Sequence, residues 1–256
     1  MGESTLFNID HQLINARIVN FAKHDSINLS VHQNVQFQWL EMNNTVQTVM
    51  DLTTPYKPVL PHMHGMLLAL YYMSNPKSVL ELGLGGGALQ RFFYHYFPKC
   101  QMTSIELNKK IIEYFYDYFS AGWKADKKHV VKHQDAQKAV KQYREQDLLF
   151  IDLFSGYSSP DFMHQKAFFE DCVKALSKKG LLVINLLPIS EIQTLDIEML
   201  LADITGFSPQ IYSIPQYRNR IFICGHQKLA LLPFDPKLQQ MCARFHLNLM
   251  NIVQLK

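Results

Sequence analysis

Three glycines at alternate positions, Gly83, Gly85 and Gly87, stand in the run Glu81-Leu82-Gly83-Leu84-Gly85-Gly86-Gly87, directly after the apolar stretch that begins at Val79. Glycine lacks a Cβ and accepts positive φ, so a ligand can approach such a backbone closely. Where the loop opens a helix, its free N–H groups favour an electronegative ligand group. A tight strand-to-helix turn without a ligand would use the same residues, and the glycines alone are therefore weak evidence. Acids at matching places sharpen them: Glu81 inside the run, Glu106 closing Met102–Leu107, Asp135 just after His129–Lys132, and Asp152 closing Leu148–Asp152.

Two kinds of nucleotide compete for this pattern. Gly83-x-Gly85-x-x-Ala88 fits the fingerprint of a nicotinamide dinucleotide, with Glu106 about where a ribose-binding acid is expected. Glu81, two residues before the first glycine, instead gives E-x-G-x-G-x-G, and an acid there suits the amino group and sulfonium of an S-adenosylmethionine-type ligand. Asp135 can accept from an adenine amine; it can equally cap a helix, and the two roles can coexist. These features favour the sulfonium nucleotide over NAD. Glu106 can accept from both ribose hydroxyls. Asp152 ends a buried strand, so its charge needs a partner or water. An alkylamine has a pKa of about 10 and is protonated near neutrality. A carboxylate can orient that ammonium and help remove its proton.

Alternating strands and helices position these residues. The rhythm from Lys77 onward runs strand Val79–Leu82, helix Leu89–Tyr96, strand Met102–Leu107, helix Ile111–Phe119, strand His129–Lys132, helix Ala136–Tyr143 and strand Leu148–Asp152. It continues through helix Phe162–Leu176 with a C-terminal cap at Lys179-Gly180, strand Leu181–Leu187, helix Ile192–Ile204 and a closing hairpin, Ile211–Ile214 with Ile221–Gly225. A further helix is expected near Lys237–Phe245. This is an α/β pattern that implies right-handed crossovers and a doubly wound, mostly parallel sheet. Ligands bind such sheets beyond the carboxyl ends of the strands, near the switch point. Ahead of it, His32–Leu40 alternates at Val35, Phe37 and Trp39 as a half-buried strand does. Asn43-Asn44 reads as a turn, Thr45–Leu52 as a second strand, and Pro61–Met73 as a helix. The expected organisation is a small β-rich N-terminal unit over residues 1–58 and a Rossmann-like nucleotide-binding domain over residues 59–256.

Bulk properties bound the reading. The 256 residues are 48% hydrophobic, enough for a large core. The net charge of +3 comes from scattered lysine pairs rather than a dense basic stripe, which argues against nucleic acid. The longest apolar stretch, Val59–Met73, is broken by Pro61, His62 and His64 and is too short to span a bilayer. Cys100, Cys172, Cys224 and Cys242 form no CxxC, and with no signal peptide evident they read as buried, reduced thiols of a cytoplasmic protein. His62 and His64, two apart, do not share a helix face, and no metal site is expected. Tyr157, in the loop after Asp152, is placed to contact an acceptor.

The order of motifs resembles the spermidine synthase-like branch of the class I S-adenosylmethionine-dependent methyltransferase superfamily. The similarity runs from about Trp39 to Gly225. It rests on the β-rich N-terminal unit, Val46-Gln47-Thr48, Pro76 to Gly83, Ile105-Glu106-Leu107, Asp135-Ala136, Ile151-Asp152 and Gly180 to Asn185. The resemblance implies the Rossmann-like methyltransferase fold with a mostly parallel seven-stranded sheet. It also implies S-adenosylmethionine or its decarboxylated form as co-substrate without a metal, a small-molecule amine acceptor, and a homodimer. On it, Glu81 neighbours the donor amine, Gly83, Gly85 and Gly87 shape the loop, Glu106, Asp135 and Ala136 hold the nucleoside, and Asp152 serves catalysis. Gln47, His64 and Tyr157 are the candidate acceptor contacts. The chain also departs from the family. The loop lacks the aspartate of G-G-G-D-G, Leu60 to Gly65 lacks a Tyr-His-Glu cluster, and Asp152-Leu-Phe-Ser155 keeps only the first acid of D-x-x-D. Losing acidic partners weakens the basis for holding a polycation. The expected function is methyl or aminopropyl transfer to an amine; the alternatives are a catalytically silent nucleotide-binding or assembly protein and an NAD-dependent oxidoreductase.

Overall fold

A computed structural model describes residues 12–24, 27–154, 159–249 and 252–255. Its N-terminal part is an antiparallel meander of four strands, β1 (Arg17–His24), β2 (Ile27–Gln33), β3 (Phe37–Met42) and β4 (Thr45–Asp51), in spatial order 1-2-3-4. The single strand expected over His32–Leu40 is in fact the end of β2, a turn, and the start of β3. The Asn34 side-chain oxygen accepts from the backbone N–H groups of Gln36 and Phe37, which reverses the chain. Val35 lies at the tip of that turn, 99% exposed, so its place in the apolar alternation was accidental. Asn43-Asn44 forms the next turn as expected, both residues at positive φ.

The second sheet carries β5 (Ser78–Leu82), β6 (Gln101–Glu106), β7 (His129–His133), β8 (Gln146–Ile151), β9 (Leu176–Leu186), β10 (Gln210–Ser213), β11 (Arg220–Gly225) and β12 (Val253–Gln254). Its order is 12-10-11-9-8-5-6-7, with β5 to β9 parallel and β10, β11 and β12 antiparallel. Eight strands rather than seven result because the two tail residues of β12 pair with Tyr212 and Ser213. Helices α1 (Pro61–Met66), α2 (Ala69–Tyr72), α3 (Ala88–Tyr96), α4 (Lys109–Tyr114), α5 (Ala136–Ala139), α6 (Lys166–Ala175), α7 (Glu191–Thr205) and α8 (Pro236–Phe245) cover it.

Continuous apolar strands are what a sheet covered on both faces requires. In β8, Leu148 and Phe150 enter the core shared with α1, α2, α3 and α8, while Leu149 and Ile151 enter the core shared with α5, α6 and α7. A third core joins the two sheets: Leu29, Val31, Leu40 and Met50 pack with Leu84, Ile111, Phe115, Phe119 and Trp123.

Three helical expectations change. The helix expected over Pro61–Met73 divides between α1 and α2. The one over Ile111–Phe119 begins as α4 and ends in a π-helical turn, Phe115–Phe119. Lys179-Gly180 is not a helix cap: α6 stops at Ala175, and Leu176 is already extended as the first residue of β9. Between Gln146↔Leu176 and Leu148↔Leu181 the register slips, so Lys179-Gly180 lies in an irregular stretch of strand.

Candidate active site at the sheet switch point

The chain leaves β5 toward β6 on one side, and later returns to lay β8 on the other. At the carboxyl end of β5 the backbone is held from both neighbours: Gly83 N–H donates to Ile105 O and Asp152 N–H donates to Leu82 O, each at 2.9 Å. Gly83 has φ +95°, and a Cβ there would overlap the Asp152 carbonyl oxygen. Gly87, the N-cap of α3, has φ +69°, and a Cβ there would overlap the Phe115 ring. The glycines thus answer to their neighbours as well as to any ligand.

Glu106 ends β6 under the loop. Its two oxygens accept from Leu84 N–H at 3.2 Å and Asn108 N–H at 2.8 Å. Burial pushes its carboxyl pKa up, and these backbone donors oppose that shift. Asp135 follows β7 and caps α5, accepting from Lys138 N–H at 3.1 Å. Ala136, beside it, is buried.

Glu81 is buried and ends a relay: Trp123 donates to Gln90 at 3.1 Å, Gln90 to Ser104 at 2.8 Å, and Ser104 to the Glu81 carboxyl. Burial raises the Glu81 pKa well above the usual carboxylate range; the Ser104 hydrogen bond opposes this, and Asp152 and Glu106 add to it. Behind the loop lies Arg91, also buried. Its guanidinium donates to the carbonyls of Pro55 at 2.7 Å, Phe119 at 2.8 Å and Gly86. Burial pulls the Arg91 pKa down and Glu81 opposes the shift, leaving a cation at neutral pH.

A small cleft, partly open to solvent, lies between β4, α1 and the switch point. Gln47, Thr48, His62, Glu81, Gly85 and Asp152 are among its walls. Gln47 points its amide nitrogen at Thr45 O, 3.1 Å away. Asp152 is placed by two asparagines: Asn185 donates to its Oδ1 at 2.8 Å, and Asn219 donates to the Asn185 carbonyl oxygen at 2.8 Å. The other carboxylate oxygen lies 3.9 Å from Nε2 of His62. The His62 side chain is 17% exposed. Burial lowers its pKa while Asp152 opposes the shift, so the ring is neutral near pH 7.

The structure thus brings Gln47, Glu81, Gly85 and Asp152 to one cleft, with Glu106, Asp135 and Ala136 along the neighbouring strand ends. It does not bring His64 there. His64 is buried on the opposite side of α1, its Nδ1 accepting from Asn248 N–H at 3.1 Å, because residues two apart on a helix face different ways. His62 faces the cleft in its stead. Tyr157 lies outside the described residues. Sequence reasoning missed His62, Asn185 and Asn219. The signal for His62 was its spacing from His64; nothing local marks the two asparagines. Among the described residues no cluster of three His, Cys, Asp or Glu side chains could hold a metal. All four cysteines are free and buried, with burial pushing the Cys100 and Cys224 thiols up to about 12.

Known proteins resemble this chain in sequence and in fold. The curated polyamine aminopropyltransferase of Chromobacterium violaceum is 33% identical over 144 residues, 56% of this chain and 55% of that protein. That of Neisseria meningitidis serogroup A is 29% identical over 145 residues. The chain spans about half the length of the curated relatives it matches. Among solved structures, a probable spermidine synthase from Corynebacterium glutamicum superposes with a TM-score of 0.78 at 14% identity, covering 93% of this chain and 90% of that one. This likeness shows the shared Rossmann-like fold. The spermine/spermidine synthase domain matches residues 53–231, from the end of the N-terminal sheet to beyond β11, and the chain belongs to that family.

Proposed function

We propose that this protein transfers an aminopropyl group from decarboxylated S-adenosylmethionine to a small amine. The observation that carries the reading is the cleft at the switch point, where Asp152 meets the glycine loop and its acids. The names of the matched relatives favour aminopropyl over methyl transfer. In the reaction the amine nitrogen attacks the carbon next to sulfur, and the C–S bond breaks with its electron pair going to sulfur. The sulfonium is already activated, so the protein's work is mainly placement. Glu106, fixed by two backbone donors, keeps lone pairs for the ribose hydroxyls. Asp135 caps α5 with one oxygen and has the other for the adenine amine. Glu81 is a hydrogen-bonding group for the donor's amino end rather than a full negative charge. Asp152 is then the principal anion of the described cleft. One anion suits an acceptor with one ammonium at the reacting end better than a long polycation.

Titration calorimetry with decarboxylated S-adenosylmethionine, S-adenosylmethionine, methylthioadenosine and NAD tests the donor. Incubation with putrescine or propylamine then tests transfer. Methylthioadenosine release with an aminopropylated amine is expected. S-adenosylhomocysteine as the only nucleoside product would replace aminopropyl by methyl transfer, and binding of NAD alone would refute both.

A further inference from the structure

We propose that His62 is a catalytic residue: with Asp152 it forms the seat of the acceptor nitrogen and takes the proton that this nitrogen must lose. The proposal rests on the alkyl-transfer reading above and names a base for it. Its ground is a distance. His62 Nε2 and Asp152 Oδ2 face the same cleft 3.9 Å apart, too far for a direct hydrogen bond. Both can instead lie about 2.9 Å from a single nitrogen placed between them, the ordinary length of an N–H···O or N–H···N bond. The two groups come from different elements, α1 and the end of β8. Asp152 is held by Asn185, itself held by Asn219. His62 is the second residue of a helix whose first turn is started by Pro61.

The electrostatic surroundings suit a base. Glu81 and Asp152 are the other titratable groups lining the described cleft. His64, on the same helix, faces Asn248 instead; burial and the nearby His62 lower its pKa to about 4, so it is uncharged near pH 7. Burial keeps the His62 ring neutral in the resting protein, with a lone pair to offer. Asp152 stabilises the imidazolium once it forms, as a neighbouring carboxylate does for other histidine bases.

The step balances without any further reactant. An ammonium R–NH3+ gives one proton to His62 Nε2 and becomes R–NH2. Its lone pair forms the new N–C bond to the donor carbon. The C–S bond breaks, its pair stays on sulfur, and the sulfonium becomes a neutral thioether. The product leaves as a charged secondary amine, and the imidazolium returns its proton to water.

The test uses the full chain with decarboxylated S-adenosylmethionine and putrescine, following methylthioadenosine against pH. His62→Gln, shown folded by its melting curve, should lose about 100-fold in kcat and lose the acid limb of the kcat profile, while donor affinity stays the same. Added imidazole should restore part of the rate to His62→Gly. A folded His62→Gln with wild-type kcat and an unchanged acid limb overturns the proposal. A second measurement does not need turnover. In wild type saturated with methylthioadenosine, titration with putrescine should shift the His62 ring 15N resonances, and Asp152→Asn should weaken that response. A ring that does not respond to the amine overturns the seat. If wild type transfers nothing from either donor, the alkyl-transfer reading fails by itself, and the ring titration still decides whether His62 receives an amine.

Discussion

Moving the protein from about pH 7.5 to about pH 5 should remove about 2 kcal/mol of stability through His64 alone. This ring sits under α1, its Nδ1 accepting from Asn248 N–H, and it also hydrogen-bonds the backbone of Val59. Burial, with His62 nearby, lowers its pKa from 6.5 to about 4. Between those values the unfolded chain binds a proton that the folded chain refuses. Stability from this group is therefore complete above about pH 6.5, falls as the pH drops, and is fully lost near pH 4. The gap of about 2.5 units, at about 1.36 kcal/mol each, amounts to roughly 3 kcal/mol, of which about 1.5 units are crossed by pH 5. Urea unfolding at the two pH values measures it. His64→Gln keeps an acceptor for Asn248 but does not titrate, so its loss between the two pH values should be smaller by about 2 kcal/mol. His62, His129 and His246 also have lowered values and remain in the variant; His129 and His246 cancel in the difference, which therefore reports His64 together with its coupling to His62. An equal loss in wild type and His64→Gln would refute the reasoning.

Other substitutions probe the loop and the nucleoside contacts. Gly87→Ala should cost more than about 2 kcal/mol, since positive φ and overlap with Phe115 both oppose it, whereas Gly206→Ala, with positive φ and open space, should cost only about 1 kcal/mol; urea midpoints compare them. Glu106→Gln should weaken donor binding about 10-fold or more by calorimetry, and an unchanged affinity would remove the ribose assignment. Asp135→Ala should cost about 1 kcal/mol through the lost cap on α5. Asp135→Asn keeps a cap, so a drop in donor affinity there would isolate the adenine contact.

Periodicity made the Rossmann-like half legible. The strands from Val79, Met102, His129, Leu148 and Leu181 all appear, although β9 already begins at Leu176; β5, β8 and β9 show because buried parallel strands leave apolar runs, whereas β6 and the half-exposed edge strand β7 carry mixed residues. The same logic failed at Val35, where an Asn34 turn interrupts a pattern that looks continuous. It also failed for β1 and β2, whose pairing is set by neighbours rather than by a clear alternation. In the site, loop glycines and strand-end acids were visible because chain order fixes which ends meet at the switch point. The partners of Asp152 were not, since Asn185 and Asn219 come together only through the antiparallel pairing of β9 and β11. His62 and His64 could not be told apart without knowing the roll of α1.

The buried Arg91 guanidinium has a consequence for how the molecule comes apart. It ties the carbonyl of Pro55, between the two sheets, to that of Gly86 in the loop and that of Phe119 at the end of the π-helical turn. Peeling away the N-terminal meander would pull at Pro55, one of the three acceptors of a buried cation, and open the core that Leu29, Val31 and Leu40 share with Phe115 and Phe119. The meander should therefore melt together with the nucleotide-binding half, in one calorimetric transition whose van't Hoff and measured enthalpies agree. Hydrogen exchange at the β4 amides should then report the same opening free energy as at β5. Residue 58 marks a change in the rhythm of the chain, and cooperativity should run straight across it.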